Sequence, residues 1–328
     1  MAFKLAQGAE ALPFPAKMPS MSGIPRPLHR FVTLDATGHS YLTPVEILRH
    51  PNFSRARDAY IEAVLGLYEY KHALIELMLD GGRIMVYGTI MALWGGYRED
   101  QLETLPTISR LKQAIGMFGV ASPRQIDHIV ARFAQAGHVQ IVPAQHDRRI
   151  RVILPTAALI EHDRAFIKAH YAALAELFGR EIYALPLGGD LGFLKAMRGA
   201  WIKTLDAMAK EIFIGNKQML RFYAASAGML MLMKLARLQN RTPESAIAAE
   251  YTDFGRRFGV SRTHVRTLFR TAASEGDITL DERGGLKLSR ELLTALDRNI
   301  AGRMSLLDRA HAAAMKSSGD DWNCESLE

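Results

Sequence analysis

The sequence is poor in cysteine: one, Cys324, in 328 residues. A single thiol excludes an internal disulfide framework and any zinc site built from several thiolates, and it fits a reducing compartment. Long apolar runs are missing as well. The longest suspicious stretch, Phe222 to Met233, is 12 residues between Arg221 and Lys234, whereas a membrane span needs about 20. No secretory leader is expected in Met1 to Ala16, where Ala, Gly, Glu and Pro interrupt any apolar core. The expectation is a soluble, cytoplasmic chain with no membrane partner. The signatures of catalysis are missing too: no Gly-rich phosphate loop ending in Lys-Ser/Thr, no Gly-x-Ser-x-Gly elbow, no His-Glu-x-x-His. His146-Asp147 and His162-Asp163 are adjacent pairs that point different ways on a helix or strand. The 11 histidines show no metal-ligand spacing, and each is expected to be solvated or, at positions 128 and 264, to face a ligand. No enzymatic activity, cofactor or metal is expected.

What is present is ordinary globular material, 48% hydrophobic and 23% charged, in a length that suits about two domains. The balance is basic, with net charge +7, and the excess is arginine: 29 Arg against 12 Lys. Guanidinium forks suit phosphate and base edges better than ammonium point charges do. Composition leans toward a polyanionic partner, with genome base composition as the plain alternative.

Residues 1–50 read as a largely irregular N-terminal arm, with Pro13, Pro15, Pro19, Pro25 and Pro27 disfavouring regular structure up to about Arg30. Thr43 then caps a short helix that begins at Pro44 and ends at Pro51. A long helical stripe follows from Ser54 to Leu79 and is stopped by Gly81-Gly82; a second helix runs to Trp94 and stops at Gly95-Gly96. Residues 317–328 carry four acids and no base and read as a solvated acidic tail.

Between these ends the chain repeats itself. Phe118-Gly119-Val120 recurs as Phe258-Gly259-Val260. Ser122 and Ser261 each stand in a helix N-cap position, and Gly137 and Gly276 stand fifteen residues beyond them. Within the two windows Ile126, Ile129, Val130 and Phe133 match Val265, Leu268, Phe269 and Ala272 as an i, i+3, i+4, i+7 stripe of one phase. Ser122-Pro123-Arg124-Gln125 adds a capping box with Pro at the first position. Each window follows a short helix (Thr107 to Phe118, Thr252 to Phe258) and precedes a β-hairpin. The first hairpin pairs Val139–Val142 with Ile150–Leu154, and the second pairs Asp277–Leu280 with Gly285–Leu288. Helix, tight turn, helix and hairpin predict a mainly α protein with small β-hairpin wings: tandem winged helix-turn-helix domains over 51–180 and 181–316.

The outward residues of the second helix of each copy carry the functional reading. They are Ser122, Arg124, Gln125, His128 and Arg132 in the first, and Ser261, Arg262, Thr263, His264, Arg266, Thr267 and Arg270 in the second. These types donate and accept at base edges and phosphates. From Gly255 to Arg270 there are five arginines, including Arg256 and Arg257, and no acid, whereas a face that is merely solvated usually mixes signs. Arg148 and Arg149 at the first hairpin tip, and Arg283 at the second, could reach a minor groove. Double-stranded DNA is the expected partner.

Residues Asp58 to Phe178 resemble a MarR-type winged-helix transcription regulator. The matching features are the long leading helix, the helix pair around Phe118-Gly119-Val120, Ala136-Gly137-His138-Val139 entering the wing, Asp147-Arg148-Arg149 at its tip, and Leu154-Pro155-Thr156 before a terminal helix. The resemblance implies that Arg149 enters the minor groove while Asp147 holds it. In the second copy, Asp281-Glu282-Arg283-Gly284 keeps Asp-x-Arg but is shorter and more acidic. Members of the family act as homodimers, so a chain with both copies implies an intramolecular pseudo-dimer. Its helices Ser54–Leu79 and Thr156–Phe178 would meet Asp190–Ile214 and Ser289–Met315, and the two recognition helices would read adjacent major grooves. The differing recognition faces predict a preference for asymmetric half-sites. The resemblance leaves open self-association and a small-molecule effector; Met219, Met229, Met231 and Met233, clustered with Phe213, Phe222 and Tyr223, would form either a pocket for one or ordinary core. The alternative function is a tandem winged-helix replication initiator or nucleoid-associated DNA-binding protein; a third is a protein-interaction module.

Overall fold

Residue 43 shows how local chemistry starts the fold. Thr43 caps α1 (Pro44–Arg49) in a full capping box, its hydroxyl accepting from Glu46 N and the Glu46 carboxylate accepting from Thr43 N at 2.8 Å, with Pro44 at the first position. The computed structural model describes residues 33–34, 40–116, 121–201, 216–242, 246–248, 250–282 and 285–320. Of the expected arm, it places a two-stranded ladder, β1 (Thr33–Leu34) with β2 (Ser40–Tyr41), and α1. The end of the arm is part of the body. Leu42 is buried, its N–H donates to Asp308 Oδ2 at 2.8 Å and its carbonyl accepts from Ser305 Oγ at 2.6 Å.

The single helix expected from Ser54 to Leu79 is two, α2 (Phe53–Tyr68) and α3 (His72–Met78). At the break Tyr70 has φ of +64°, a region that costs a residue with a Cβ. Its N–H donates to the Arg257 carbonyl at 2.9 Å, and the Arg257 guanidinium lies 5.1 Å above its ring. The apolar stripe continues across the break because it reports which residues are buried, not whether the hydrogen-bond ladder is unbroken. Gly81-Gly82 does not stop a helix either: it opens α4 (Gly81–Gly95), whose N-cap Asp80 accepts from Arg83 N at 2.9 Å.

The repeat is present in both halves. α5 (Ile108–Gly116) and α6 (Pro123–Gln135) precede the antiparallel pair β3 (Val139–Pro143) and β4 (Arg151–Pro155), then α7 (Ala157–Phe178). After α8 (Ala184–Gly188), α9 (Leu191–Trp201), α10 (Lys217–Ala224) and α11 (Gly228–Arg241) comes β5 (Ile247–Ala248). Then follow α12 (Tyr251–Phe258), α13 (Arg262–Ser274), β6 (Ile278–Leu280), β7 (Gly285–Leu288) and α14 (Arg290–Asp320). A short pairing ties each hairpin to the chain before its helix pair: Thr107 bridges Val152, and Ala248 pairs with Gly285. Gly137 and Gly276 match in conformation, at φ +74° and +79°, where glycine costs least. The expected stripes are buried, with Ile129 half-buried. Phe118-Gly119-Val120 lies outside the described residues. The fold is mainly α with small antiparallel sheets.

The halves share one core. α2 packs on α7, α7 and α9 pack on α14, and α11 lies against α2 with Lys234 facing Glu69 and Arg237 facing Glu62. The helices expected to meet, Thr156–Phe178 and Ser289–Met315, do so, with Tyr171 Oη donating to the Leu307 carbonyl at 2.7 Å. α4 and α9 cross at Gly95 and Gly199 with the backbones touching: a Cβ on Gly95 would lie 2.6 Å from the Lys195 carbonyl oxygen and against the Gly199 nitrogen. Beside this crossing, Arg198 of α9 and Asp163 of α7 form a completely buried ion pair, Nε to Oδ2 at 2.9 Å, and Tyr87 of α4 donates to the same carboxylate. α14 continues through Asp320, so the expected acidic tail begins inside a helix, and 321–328 lie outside the described residues. No helix among the described residues is long and apolar enough to cross a membrane.

The histidines are not all solvated, as the sequence suggested. His170 and His311 are buried and His162 is largely so, packed against tyrosine and phenylalanine rings. His170 Nδ1 carries a proton, donated to the Phe166 carbonyl at 2.7 Å, and Nε2 accepts from Tyr60 Oη at 3.1 Å. Burial pushes His162, His170 and His311 down to about 4, 3 and 4, and pushes the Asp308 carboxyl up to about 6.

Two outcomes follow. Between pH 6.5 and about 4 the unfolded chain binds protons that the three folded-state histidines refuse, so stability falls as pH drops through that window. Asp308 acts in the opposite sense, losing stability as pH rises toward about 6, but three groups outweigh one. The urea midpoint is expected to be lower at pH 5 than at pH 7, and an equal or higher midpoint at pH 5 contradicts neutral buried histidines. Gly95→Ala is expected to lower stability by about 1–3 kcal/mol through forced separation of α4 and α9; an unchanged midpoint means that the crossing tolerates a methyl group.

Candidate nucleic-acid interface

The second helix of each repeat starts from a cap that leaves its first turn facing solvent. In α6 the Ser122 hydroxyl accepts from Gln125 N at 3.3 Å and Gln125 Oε1 accepts from Ser122 N at 2.8 Å. Both side chains are exposed, but Gln125 keeps only its amide N–H groups free for a ligand. In α13 Ser261 Oγ accepts from His264 N at 3.1 Å.

The structure sorts the expected site residues into free and committed groups. Arg124, His128 and Arg148 in the first copy, and Arg262, Thr263, Arg266, Thr267 and Arg270 in the second, are exposed. Among the described residues, none of Arg124, Arg148, Arg262, Arg266 and Arg270 has an ion-pair partner. Arg262, Arg266 and Arg270 stand four residues apart along α13, one above another with a rise of about 6 Å per step. Arg132, expected to be free, is bound to Glu76 of α3 at 2.7 Å, and this bond holds the Glu76 carboxyl below its ordinary range. Asp127, the acid on the α6 face, is paired with Lys112 of α5 at 2.7 Å.

Three expectations about orientation are corrected. His264 turns inward and its Nε2–H donates to the Ser226 carbonyl at 3.0 Å, because the α10–α11 junction packs beside the start of α13. Arg257 is largely enclosed: it bonds Glu69 at 3.0 Å and Asp253 at 3.1 Å and covers Tyr70, so it fastens α12 to the α2–α3 break. Arg256 is exposed but bound to Asp253 at 2.7 Å. Its neighbour His72 donates from Nε2 to the Arg256 carbonyl at 2.8 Å and lies against Gly259. The signal that could have separated Arg256 and Arg257 from the free arginines is Asp253, one turn earlier in α12; the Glu69 contact to Arg257, from just after α2, is not visible in the sequence.

At the first hairpin tip Asp147 and Arg149 form the arrangement that the resemblance implies. Arg149 Nε donates to Oδ1 at 3.0 Å, a second guanidinium nitrogen donates to Oδ2 at 2.9 Å, and Arg149 N donates to Oδ1 at 2.9 Å. These bonds hold the Asp147 carboxyl below its usual range. The Arg149 side chain is nonetheless 91% exposed, so the carboxylate orients the fork without hiding it. At the second tip the Asp281 carboxylate accepts from Gly285 N at 2.6 Å and closes the turn; Arg283 lies outside the described residues.

The methionine cluster is mostly core. Met219, Met231 and Met233 are buried with Phe222 and Tyr223, Met229 is half-buried, and Phe213 lies outside the described residues. A small cleft, with about 50 Å³ of enclosed space, lies where the α3–α4 junction meets the α10–α11 junction, and Tyr60, Tyr68, Met229, Met233 and Arg303 line it. Arg303 of α14 donates to Tyr223 Oη at 3.0 Å and to the Tyr60 hydroxyl. The two hydroxyl protons pass on to Asn299 Oδ1 at 2.7 Å and to His170 Nε2. Every described partner of this guanidinium is neutral. Among the described residues no cluster of His, Cys, Asp or Glu could hold a metal ion. No family model, curated protein or solved structure matches this chain.

Proposed function

We propose that this chain is a sequence-specific, double-stranded DNA-binding transcription regulator of MarR type, with two winged helix-turn-helix units in one pseudo-dimeric chain. The observation that carries the reading is the Arg262, Arg266 and Arg270 stripe. Like charges at i, i+4 destabilise a helix by about 0.2–0.5 kcal/mol per pair, and no described acid offsets these three. Of the other described arginines of the two helix pairs and hairpins, four are compensated by an acid, Arg132 by Glu76, Arg256 and Arg257 by Asp253, and Arg149 by Asp147; Arg110 and Arg151 donate to the Leu105 and Ile141 carbonyls, and Arg124 and Arg148 stand singly. A stripe left uncompensated on the solvent face of the helix after a tight turn suits phosphates and base edges, which supply the missing anions. The helix pair, the hairpin and the terminal helix of each half support the winged-helix reading, and the direct packing of α7 on α14 supports the pseudo-dimer.

The test is a titration of fluorescent duplex over a range of salt. Affinity is expected to fall linearly in log–log form, with slope about −0.9 per neutralised phosphate. Arg266→Ala is expected to cost about 1–3 kcal/mol of binding at the selected site with the circular dichroism spectrum unchanged. Weak binding that salt does not alter would sink the proposal and favour a protein-interaction module.

A small-molecule effector is favoured by one observation, the Arg303 guanidinium with only neutral partners beside an apolar cleft. A guanidinium stays charged at any working pH, and an enclosed charge is stabilised by an anion. A small aromatic carboxylate fits both features. Benzoate-class acids are expected to raise the thermal midpoint of the wild type, their amides are not, and Arg303→Met abolishes the difference. Equal shifts from acid and amide argue against the assignment.

A further inference from the structure

Between Gly66 and Gly81 the chain has no glycine or proline, and Ile61, Val64, Leu65, Tyr68, Ile75 and Leu79 keep one helical stripe through it. Local sequence therefore specifies a single helix. The structure breaks that helix at Tyr68–Lys71. There Lys71 N donates to the Tyr68 carbonyl at 2.9 Å, Glu69 has φ −52° and ψ 127°, and Tyr70 has φ +64°. This is a type II turn, whose third position calls for glycine; a tyrosine there is strained. What holds the strain comes from the second half of the chain. Tyr70 N donates to the Arg257 carbonyl at 2.9 Å, the Arg257 guanidinium bonds Glu69 at 3.0 Å, and His72 Nε2–H donates to the Arg256 carbonyl at 2.8 Å. Local preference and tertiary contact thus disagree at one residue, and such conflicts mark places with a task beyond holding the fold. The same short helix reaches the first half's helix pair, since Glu76, one turn beyond His72, holds Arg132 of α6 at 2.7 Å. α3 is about 10 Å long, so the bend at Tyr70 sets how α6 lies relative to α12.

We propose that the Tyr68–Lys71 turn is a strained latch that gives the shared core two settings. Latched, it is the turn of this structure, with α12 docked on it and α6 and α13 held at one separation. Released, Arg256 and Arg257 leave the turn. The N–H groups of Tyr70 and Lys71 then donate to the Gly66 and Leu67 carbonyls, and α2 and α3 join as one helix that no longer seats α12. Each setting satisfies the same backbone donors, which is what lets both be populated. Release gives up the ion pair and the long-range bonds; it gains right-handed backbone at Tyr70 and an unbroken helical ladder. The latch therefore determines which separation of half-sites the chain accepts, a consequence that rests on the DNA-binding reading above.

The experiment measures the distance between nitroxides on the full chain, carried by Ala73→Cys in α3 and Thr252→Cys in α12, both exposed positions, with Cys324→Ser in the background. Circular dichroism is recorded on the same proteins. Binding is read on duplexes built from a site selected out of random sequence, its half-sites moved apart stepwise. The wild type is expected to show one principal short distance and to prefer one separation. Arg257→Met is expected to add a longer distance, to gain helicity, and to bind the different separations alike. Tyr70→Gly added to Arg257→Met is expected to restore the short distance and the preference. Glycine relieves the turn and disfavours the joined helix, which shifts the balance toward the latched setting by about five- to thirtyfold. A purely structural role for Arg257 predicts no such rescue. An unchanged distance in Arg257→Met, a longer one without gained helicity, or a double variant no nearer to wild type overturns the latch. Distance and helicity are read without DNA, so failure to bind any duplex sinks the DNA-binding reading while those two measurements still decide the latch.

Discussion

The buried ion pair between Arg198 and Asp163 is the constraint on which the architecture depends. Both side chains are fully enclosed, so neither charge is tolerable without the other; removing one partner of such a pair typically costs about 3–5 kcal/mol. The pair is held by groups from three helices, with Arg198 Nη1 the one buried nitrogen of the fork that has no hydrogen-bond partner among the described residues. α9 supplies the guanidinium, α7 the carboxylate, and α4 the Tyr87 hydroxyl, while Trp201 covers the cation at 4.0 Å. That arrangement exists only if α9 lies against α4, and the backbone contact of Gly95 with Gly199 is what lets it approach. One electrostatic requirement and one steric permission thereby join the first repeat to the segment leading into the second.

With the halves joined, their contacts set which charged groups each half leaves exposed. α12 is fastened to the α2–α3 break by Arg257, His72 and the strained Tyr70 backbone. The second unit therefore rests on the first, and its free arginines are those that this docking does not use. Asp308 has a similar role at the far end, receiving Leu42 N and Tyr183 Oη so that α14, the N-terminal segment and the chain after α7 are held together. In the proposed regulator, the spacing of the two reading helices is then a property of the shared core and not of a hinge between domains.

Much of the local structure was legible in the sequence because its causes lie within one or two turns of chain. The boxes at Thr43 and Ser122, the stripe from Ile126 to Phe133 and its counterpart from Val265 to Ala272, and the left-handed glycines at 137 and 276 each follow from spacing and backbone chemistry. The Asp147–Arg149 fork is a contact between residues two apart. Where the causes lie elsewhere in the chain, the reading failed. Tyr70 breaks a helix because the Arg257 carbonyl waits for its N–H, and Gly81-Gly82 begins a helix because Asp80 is placed to cap it. His264 turns inward because Ser226 offers an acceptor.

The sequence by itself determined that a succession of helix, helix and hairpin occurs twice and that arginine is concentrated on it. Those properties depend on periodicity, caps and charge, which are written locally. Only the tertiary structure decided which arginines remain available. Arg124 and Arg132 share the outward face of α6, yet Glu76 of α3 takes only the second, and Glu69, just after α2, takes Arg257; the Asp253 pairs with Arg256 and Arg257 are local to α12. An ion pair between distant segments is settled by distance in space, and Glu69 and Glu76 are brought to Arg257 and Arg132 by the packing of the helices.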